Sequence, residues 1–504
     1  MKRTVIELLE YSAERFPKRT AYFDSNGSYT FEELLKITRS VGTLTAGSCG
    51  HGKPVAVLMS KGISMIAAFL GAVTGGACYC PLDVTMPVDR MQTILSVLDP
   101  ALVITEPGQE ELVSKLGISC RTVTFSEAAE TPADDALLSK VRAASADTDP
   151  LYILFTSGST GVPKGVVVPH RVVLNNMDWL EEHYHFCEND VLANQAPLYF
   201  DVSDHDIYCP LKFGCSTGIV PTEYFTFPVK LLGYLKEHHV TAVFWVPFAL
   251  SVVSTLRGLD AVLPDELRFI FFAGEVMPVK HLNYWRRHLP DAVYCNMYGP
   301  TETYVCTYYD VDREFEDTDT LPIGFPCGNV GALVLGADGK LITPEQTDLE
   351  GELCIKGCTL ALGYYKDPQR TAERFTQNPL HNDYPELIYH TGDVVSYNEK
   401  GELLYHDRMD FQIKRLGYRI ELGEIEAAAG GIEAIEDCAC IYKTDTQSIL
   451  LCYTGAELTK AELRAALSGK LPHYMMPNRY IYLSEMPRNA NGKIDRKALK
   501  AQFC

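Results

Sequence analysis

The ten residues Thr156-Ser157-Gly158-Ser159-Thr160-Gly161-Val162-Pro163-Lys164-Gly165 bring together three glycines, four hydroxyls and a lysine. Glycines let a backbone turn its N–H groups onto an anion, hydroxyls add donors, and the lysine adds a charge. Those are the parts of a phosphate grip. The spacing fails the GxxxxGK(S/T) pattern, so this is not the loop of a P-loop nucleotide hydrolase. A flexible hairpin turn could share the composition, but ten such residues between two apolar runs favour phosphate. A second group, Phe200-Asp201-Val202-Ser203 ahead of Asp204-His205-Asp206, reads by itself as a helix N-cap. The cysteine pairs Cys78/Cys80, Cys354/Cys358 and Cys438/Cys440 form no CxxC and lack histidine at a usable spacing, so they read as buried thiols, not metal ligands.

A phosphate grip needs rigid neighbours. Residues 151–155 read as a buried strand entering the loop, and 166–168 as a second strand leaving it, ended by Pro169. Further strands are predicted at 54–59, 102–105, 242–246 and 267–272, with helical spacing at 63–73, 172–183, 229–238 and 279–288. Such alternation predicts α/β layers, with largely parallel sheets covered by helices. The apolar stretch 62–82 is read as a buried helix and strand, since it carries four glycines and is interrupted by Pro81. From 323 to 404 the pattern turns β-rich, and the last 94 residues, after Arg408-Met409-Asp410, read as a small α/β unit of their own. The expected division is 1–409, with a β-rich subdomain at about 323–409, and 410–504.

With 504 residues, 46% of them apolar, the chain has enough core for two or three domains. Its net charge of −20 argues against nucleic-acid or anionic-membrane partners. Charge is unevenly spread: from Phe411 onward there are 13 Lys and Arg against 11 Asp and Glu, a balance of +2, leaving −22 for the first 410 residues. Sixteen cysteines behind an amphipathic, acid-containing start (MKRTVIELLEYSAERF) read as reduced thiols of a cytoplasmic protein without a signal peptide.

The loop TSGSTGVPKG resembles the signature loop of the adenylate-forming superfamily, which includes acyl-CoA synthetases, luciferases and the adenylation domains of nonribosomal peptide synthetases. Five further motifs follow in that family's order. They are Asn296-Met-Tyr-Gly-Pro-Thr-Glu302, Tyr389-His-Thr-Gly-Asp393, Arg408-Met-Asp410, the segment Arg415 to Glu426, and Asn491-Gly492-Lys493-Ile-Asp495-Arg496. The resemblance implies a large N-terminal domain and a small mobile C-terminal one. It implies that Thr156, Ser157, Gly158, Ser159, Thr160, Gly161 and Lys164 hold the phosphates of ATP, and that Glu302 carries Mg²⁺. Asp393 would take the ribose hydroxyls with Arg408 beside it. Gly274, Glu275, Asn296 and Tyr298 would border the adenine, with Gly299 and Thr301 in the same nucleotide motif. Lys493, with Glu302 and Thr156, would serve catalysis, with the lysine placed between the carboxylate and the α-phosphate. The C-terminal domain would then turn about Asp410, bringing the segment around Gly417 to line a tunnel for a pantetheine thiol.

In that family an Asp at the place of Asp201 pairs with the substrate's α-ammonium, which favours amino acids over fatty acids. The remaining pocket positions carry over as Val202, His205, Phe244, Phe271, Ala273, Met297, Val305 and Cys306, and their bulk implies a small or medium side chain. The segments NQAPLYFDVSDHDIY, FAGEVMP and DFQIKRLGYRIELGEIE look closest to the D-alanyl carrier protein ligases. Two positions depart: Ala273 stands where that group usually has Cys, and Asp204-His205 replace apolar residues. D-alanine is thus the first substrate to consider. A free-standing peptide-synthetase-type enzyme for another amino acid is the rival, and an acyl-CoA synthetase the third reading. The chain ends eleven residues after Lys493, so a phosphopantetheine-bearing acyl or peptidyl carrier protein is expected in trans, docking on charges beyond Asp410 such as Arg415 and Lys497.

Overall fold

The computed structural model describes residues 2–158, 162–488 and 494–504. Ser159, Thr160, Gly161 and Lys493 therefore lie outside the described residues. The layered α/β class expected from the alternation is what the chain adopts. One sheet of nine described strands runs, in spatial order, Phe325–Pro326, Thr307–Asp310, Val293–Tyr298, Phe269–Ala273, Ala242–Trp245, Val191–Asn194, Ser216–Ile219, Thr20–Asp24, Gly27–Thr30. The five pairs from Val293–Tyr298 across to Thr20–Asp24 are parallel. A second sheet of seven carries Pro150–Thr156 and Lys164–Pro169 beside the parallel set Cys78–Asp83, Pro54–Met59, Leu102–Thr105 and Arg121–Thr124.

The covering helices follow from sequence. Helix Ile63–Thr74 is apolar all round and buries ten of its residues between the sheets, and its first N–H is capped from a distance by the Asp24 carboxylate at 3.1 Å. Helix Phe31–Ser48 opens with a reciprocal Thr30/Glu33 capping box. A third, antiparallel sheet is built mainly from Val330–Leu335, Gly351–Gly357, Leu387–Tyr397 and Leu403–Arg408. Phe325–Pro326 and Gly363–Tyr364, although inside the same β-rich stretch, pair into the nine- and seven-stranded sheets. They tie the layers together around the site.

Beyond Asp410 come the hairpin Gln412–Arg415/Tyr418–Glu421 and a three-stranded sheet packed by helices. Met409 and Phe411, on either side of Asp410, are 67% and 56% exposed, with the Arg496 guanidinium 4.3 Å over the Phe411 ring. Arg415, read from sequence as a docking charge, is 9% exposed and donates to the Gln447 and Tyr474 carbonyls at 2.9 and 2.7 Å. It braces the small unit from within, and that docking role is withdrawn for it. Among the described residues no helix is long and apolar enough to cross a membrane.

Candidate active site

The strands Pro150–Thr156 and Lys164–Pro169 are antiparallel neighbours, with Thr156 opposite Lys164, so both ends of the ten-residue candidate anion grip are paired strand. At its ends the described side chains face inward. Lys164 Nζ lies 3.1 Å from Glu302 Oε1, which also accepts from the Tyr364 hydroxyl at 2.7 Å. Glu302 is fully buried. Burial would raise its carboxyl, but the Arg419 guanidinium and the Lys164 ammonium hold it well below the usual range. Burial and the nearby Arg419 charge push Lys164 down to about 8.

Across the cavity, Asp393 Oδ1 accepts from Arg408 Nη1 at 2.7 Å and Oδ2 from the Tyr298 hydroxyl. Arg408 also grips Asp410 through Nε and Nη2, at 2.6 and 2.8 Å, so the guanidinium ties the expected ribose carboxylate to the expected hinge. Behind this strand Cys354 does have a histidine neighbour. Cross-strand pairing sets His390 opposite it, Nδ1 3.5 Å from the thiol and 2.8 Å from Glu352. The sequence spacing concealed this, because the two residues meet only across the sheet. Glu352 Oε1 in turn accepts from the Gly392 N–H at 2.9 Å, so the His390–Glu352 pair braces the turn that presents Asp393.

The helix N-cap reading of the Asp201–Ser203 segment does not hold. These residues form a short 3-10 turn ahead of helix Asp204–Phe213, and the Ser203 hydroxyl donates to the Phe200 carbonyl at 2.6 Å instead of capping. Asp201 borders the cavity; burial raises its carboxyl and the Thr301 hydroxyl partly offsets this. The helix then sorts its polar residues. Asp204 turns back to accept from the Tyr152 hydroxyl at 2.5 Å, Asp206 accepts from Asn194 at 2.7 Å, and His205 faces the cavity. The His205 ring is stacked on Phe244 (centroids 4.2 Å, 6°) and on Tyr304 (5.3 Å, 23°), with Nε2 3.1 Å from Asn176 Oδ1. Burial pushes this imidazole down to about 3, so it is neutral.

Val202, Phe244, Phe271, Ala273, Met297 and Val305 share these walls, as do Thr156, Ser157, Gly274, Gly299 and Thr301. Cys306 is turned away and its thiol donates to the Tyr298 carbonyl at 3.5 Å; Asn296 donates to the Pro322 carbonyl at 2.8 Å. Tyr304 carried no signal in the sequence. It sits at φ +55°, a strained backbone of the kind that gathers at functional sites.

The C-terminal unit completes the cavity. Leu416 (φ +54°) and Gly417 (φ +81°) are the two central residues of a tight hairpin turn in which both φ angles must be positive. The turn lies against Val246, and Lys414 and Arg419, directly opposite each other in the hairpin, both reach the cavity. Arg419 Nη1 is 2.7 Å from Glu302 Oε2, Ser157 Oγ donates to the Arg419 carbonyl at 3.0 Å, and Arg90 pairs with Glu424. Sequence reasoning passed over Lys414, Arg419 and Arg90; the alternation Gly417, Arg419, Glu421 on one strand face was the available signal. Glu302, expected to carry Mg²⁺, has both oxygens taken by Lys164, Tyr364 and Arg419. In this arrangement the residues present do not fit a metal ion.

Residues 9–365 match the family AMP-binding enzyme, and residues 424–493 match the AMP-binding enzyme C-terminal domain. The L-proline--[L-prolyl-carrier protein] ligase of Pseudomonas fluorescens is 33% identical over 98% of this chain and 98% of its own length. Tyrocidine synthase 1 of Brevibacillus parabrevis is 32% identical over 99% of this chain, which spans 45% of that protein. Among solved structures, holo-PA1221, an NRPS protein containing adenylation and PCP domains, aligns with a TM-score of 0.83 at 25% identity, covering 99% of this chain and 84% of that one. The Vibrio cholerae adenylation domain AlmE, in complex with glycyl-adenosine-5'-phosphate, shares the fold with a TM-score of 0.85 at 22% identity, covering 100% of this chain and 98% of that one.

Proposed function

The chain belongs to the AMP-binding enzyme family, and on that premise we propose that it is an AMP-forming ligase that activates an amino acid with ATP and passes it to the phosphopantetheine thiol of a carrier protein. The carrier-protein ligase and the adenylation–PCP protein among its relatives support the overall reaction. The single observation that carries the amino-acid reading is Asp201. Burial leaves this carboxylate's pKa raised at the edge of the cavity even with Thr301, Lys414 and Arg419 acting against it, so a further cation there is favoured, and a substrate ammonium supplies one.

In the first step a carboxylate oxygen attacks the α-phosphorus of ATP and pyrophosphate leaves. The carboxylate is ionised at neutral pH, so this step needs placement and charge stabilisation rather than a base. Asp393, held by Arg408 and Tyr298, is the group that would accept the ribose hydroxyls. Lys493 would stabilise the charge that builds between carboxylate and α-phosphate. In the second step the thiol sulfur attacks the acyl carbon, the bond to phosphate breaks, AMP leaves, and the thiol proton passes to solvent.

The finer reading is a small amino acid, with D-alanine first. His205, fixed between Phe244 and Tyr304, closes one side of the cavity, while Phe271 and Met297 fill further space. An ATP–pyrophosphate exchange panel over L- and D-amino acids tests this. Glycine, alanine and serine in either configuration are expected to exceed phenylalanine and leucine by at least ~10-fold, the scale a few methylenes impose in a closed pocket. Exchange led by a large side chain would refute the small-substrate reading, and exchange with fatty acids but no amino acid would refute the amino-acid reading. His205→Gly is expected to raise kcat/KM for leucine about 10-fold or more while lowering it for alanine, measured in the same exchange assay.

A further inference from the structure

Cys354 is a fully buried thiol in strand Gly351–Gly357, and Glu352, two residues earlier, lies on the same face of that strand. His390 stands directly opposite Cys354 on the neighbouring strand. Among the described residues, only here do three side chains of His, Cys, Asp or Glu bring ligand atoms within 4.8 Å of one another. Cys354 Sγ lies 3.5 Å from His390 Nδ1, and Nδ1 lies 2.8 Å from Glu352 Oε2. A tetrahedral zinc ion, about 2.3 Å from sulfur and 2.0–2.1 Å from nitrogen, holds those two atoms about 3.6 Å apart. Thiol and ring already stand at that spacing. Nitrogen and oxygen would stand about 3.3 Å apart, so Oε2 need retreat only about half an ångström from its hydrogen bond.

The surroundings suit a cation as well. A neutral imidazole that gives Nδ1 to a metal keeps its proton on Nε2, and Thr376 Oγ1, 3.0 Å away on the next strand, is placed to accept it. Thiolate and carboxylate together cancel a divalent charge. Arg374 also acts on Glu352, but its guanidinium is turned toward Asp410 at 3.8 Å. The His390 and Glu352 side chains are 26% and 18% exposed, which leaves a path for the ion and room for water beside it.

We propose that Glu352 Oε2, Cys354 Sγ and His390 Nδ1 form a zinc site, with water as the fourth ligand, behind the turn that presents Asp393. Binding displaces the thiol proton and the proton held between Nδ1 and Oε2, and both pass to solvent. Burial and the Glu352 charge push the free thiol up, so it stays unreactive until a metal takes the place of its proton. Glu352 Oε1 keeps the Gly392 N–H at 2.9 Å, so the ion clamps two strands and the Asp393 turn together. The site does not depend on which acid the enzyme activates.

The test uses the full chain, stripped of metal, reduced with a phosphine and titrated with Zn²⁺ or Co²⁺. Wild type should bind one equivalent of Zn²⁺ that survives gel filtration, and its melting temperature should rise on loading. With Co²⁺ it should show a thiolate charge-transfer band and tetrahedral d–d bands. Cys354→Ser and His390→Ala should each bind more than ~100-fold more weakly and lose those bands, while Thr376→Val should weaken binding by roughly 10–100-fold. Cys358→Ser, which alters an exposed thiol just beyond the strand, should keep them. Wild type that binds no stoichiometric zinc overturns the proposal, as does binding that Cys354→Ser and His390→Ala both retain at full strength. Should a variant fail to fold, X-ray absorption at the zinc edge of loaded wild type decides instead. One sulfur with nitrogen and oxygen neighbours supports the site; no sulfur, or several, overturns it.

Discussion

Replacing Asp201 with alanine is expected to lower kcat/KM for the amino acid in ATP–pyrophosphate exchange by roughly 10² to several 10³-fold. That range follows from the ~3–5 kcal/mol lost when one member of a buried ion pair is left alone. The decisive comparison is with the des-amino acid. The wild type should prefer the amino acid strongly, and Asp201→Ala should lose most of that preference, because the variant no longer distinguishes an ammonium from a hydrogen. Equal losses for both acids would mean that Asp201 merely holds the loop. The ligand-free protein should respond in the opposite sense. Burial leaves the Asp201 carboxyl above its unfolded pKa, so the protonated form favours folding. The resulting penalty is absent below the unfolded value of about 3.9 and grows as pH rises toward neutrality. Asp201→Ala should therefore melt at or above the wild-type temperature at pH 7, and the advantage should vanish near pH 3.5.

Gly417→Val is expected to separate the two half-reactions. A Cβ at Gly417 would stand 2.6 Å from Val246 Cγ1, and the backbone there has φ +81°. A left-handed backbone costs a branched residue about 1–2 kcal/mol, and overpacking adds about 1–3 kcal/mol. Transfer to pantetheine should then fall by roughly 30-fold to several thousand-fold, because the docked arrangement is lost. Amino-acid-dependent exchange should stay within a few-fold of wild type if the docked turn takes no part in adenylation. Val246→Ala in the same chain removes the obstructing methyls and should return part of the transfer activity; a backbone-only effect would leave it unrescued. Loss of exchange and transfer in parallel would show that this turn serves both steps.

Much of this arrangement was legible from residues near one another in sequence. The run 63–73 is apolar on every side and could only be a buried helix. The two strands flanking the phosphate loop followed from two short apolar runs and Pro169. Asp201 and His205 could be singled out because they share one motif. Their surroundings could not be read so directly: Phe244, Phe271, Met297 and Val305 come from separate strands and loops, and only the family pattern drew them together. Asn176, which holds His205, and Tyr304, which stacks on it, carry no local signal. Glu302 and Arg419 are 117 positions apart, and their contact depends on how the small unit sits, a property of the assembled molecule. Arg415 shows the converse hazard. A charge in a basic segment looks free until the fold shows two carbonyls waiting for it.

The separate cores on the two sides of Asp410 have a thermodynamic consequence. No apolar cluster among the described residues contains side chains from both sides of that aspartate, while Arg90–Glu424 and Glu302–Arg419 span the seam as ion pairs. Swinging the small unit away separates Phe200 from Tyr418 and the Gly417 turn from Val246 but splits no shared apolar cluster, so the motion should carry only a small heat-capacity change. Its equilibrium is set largely by what these two buried ion pairs lose and gain on hydration.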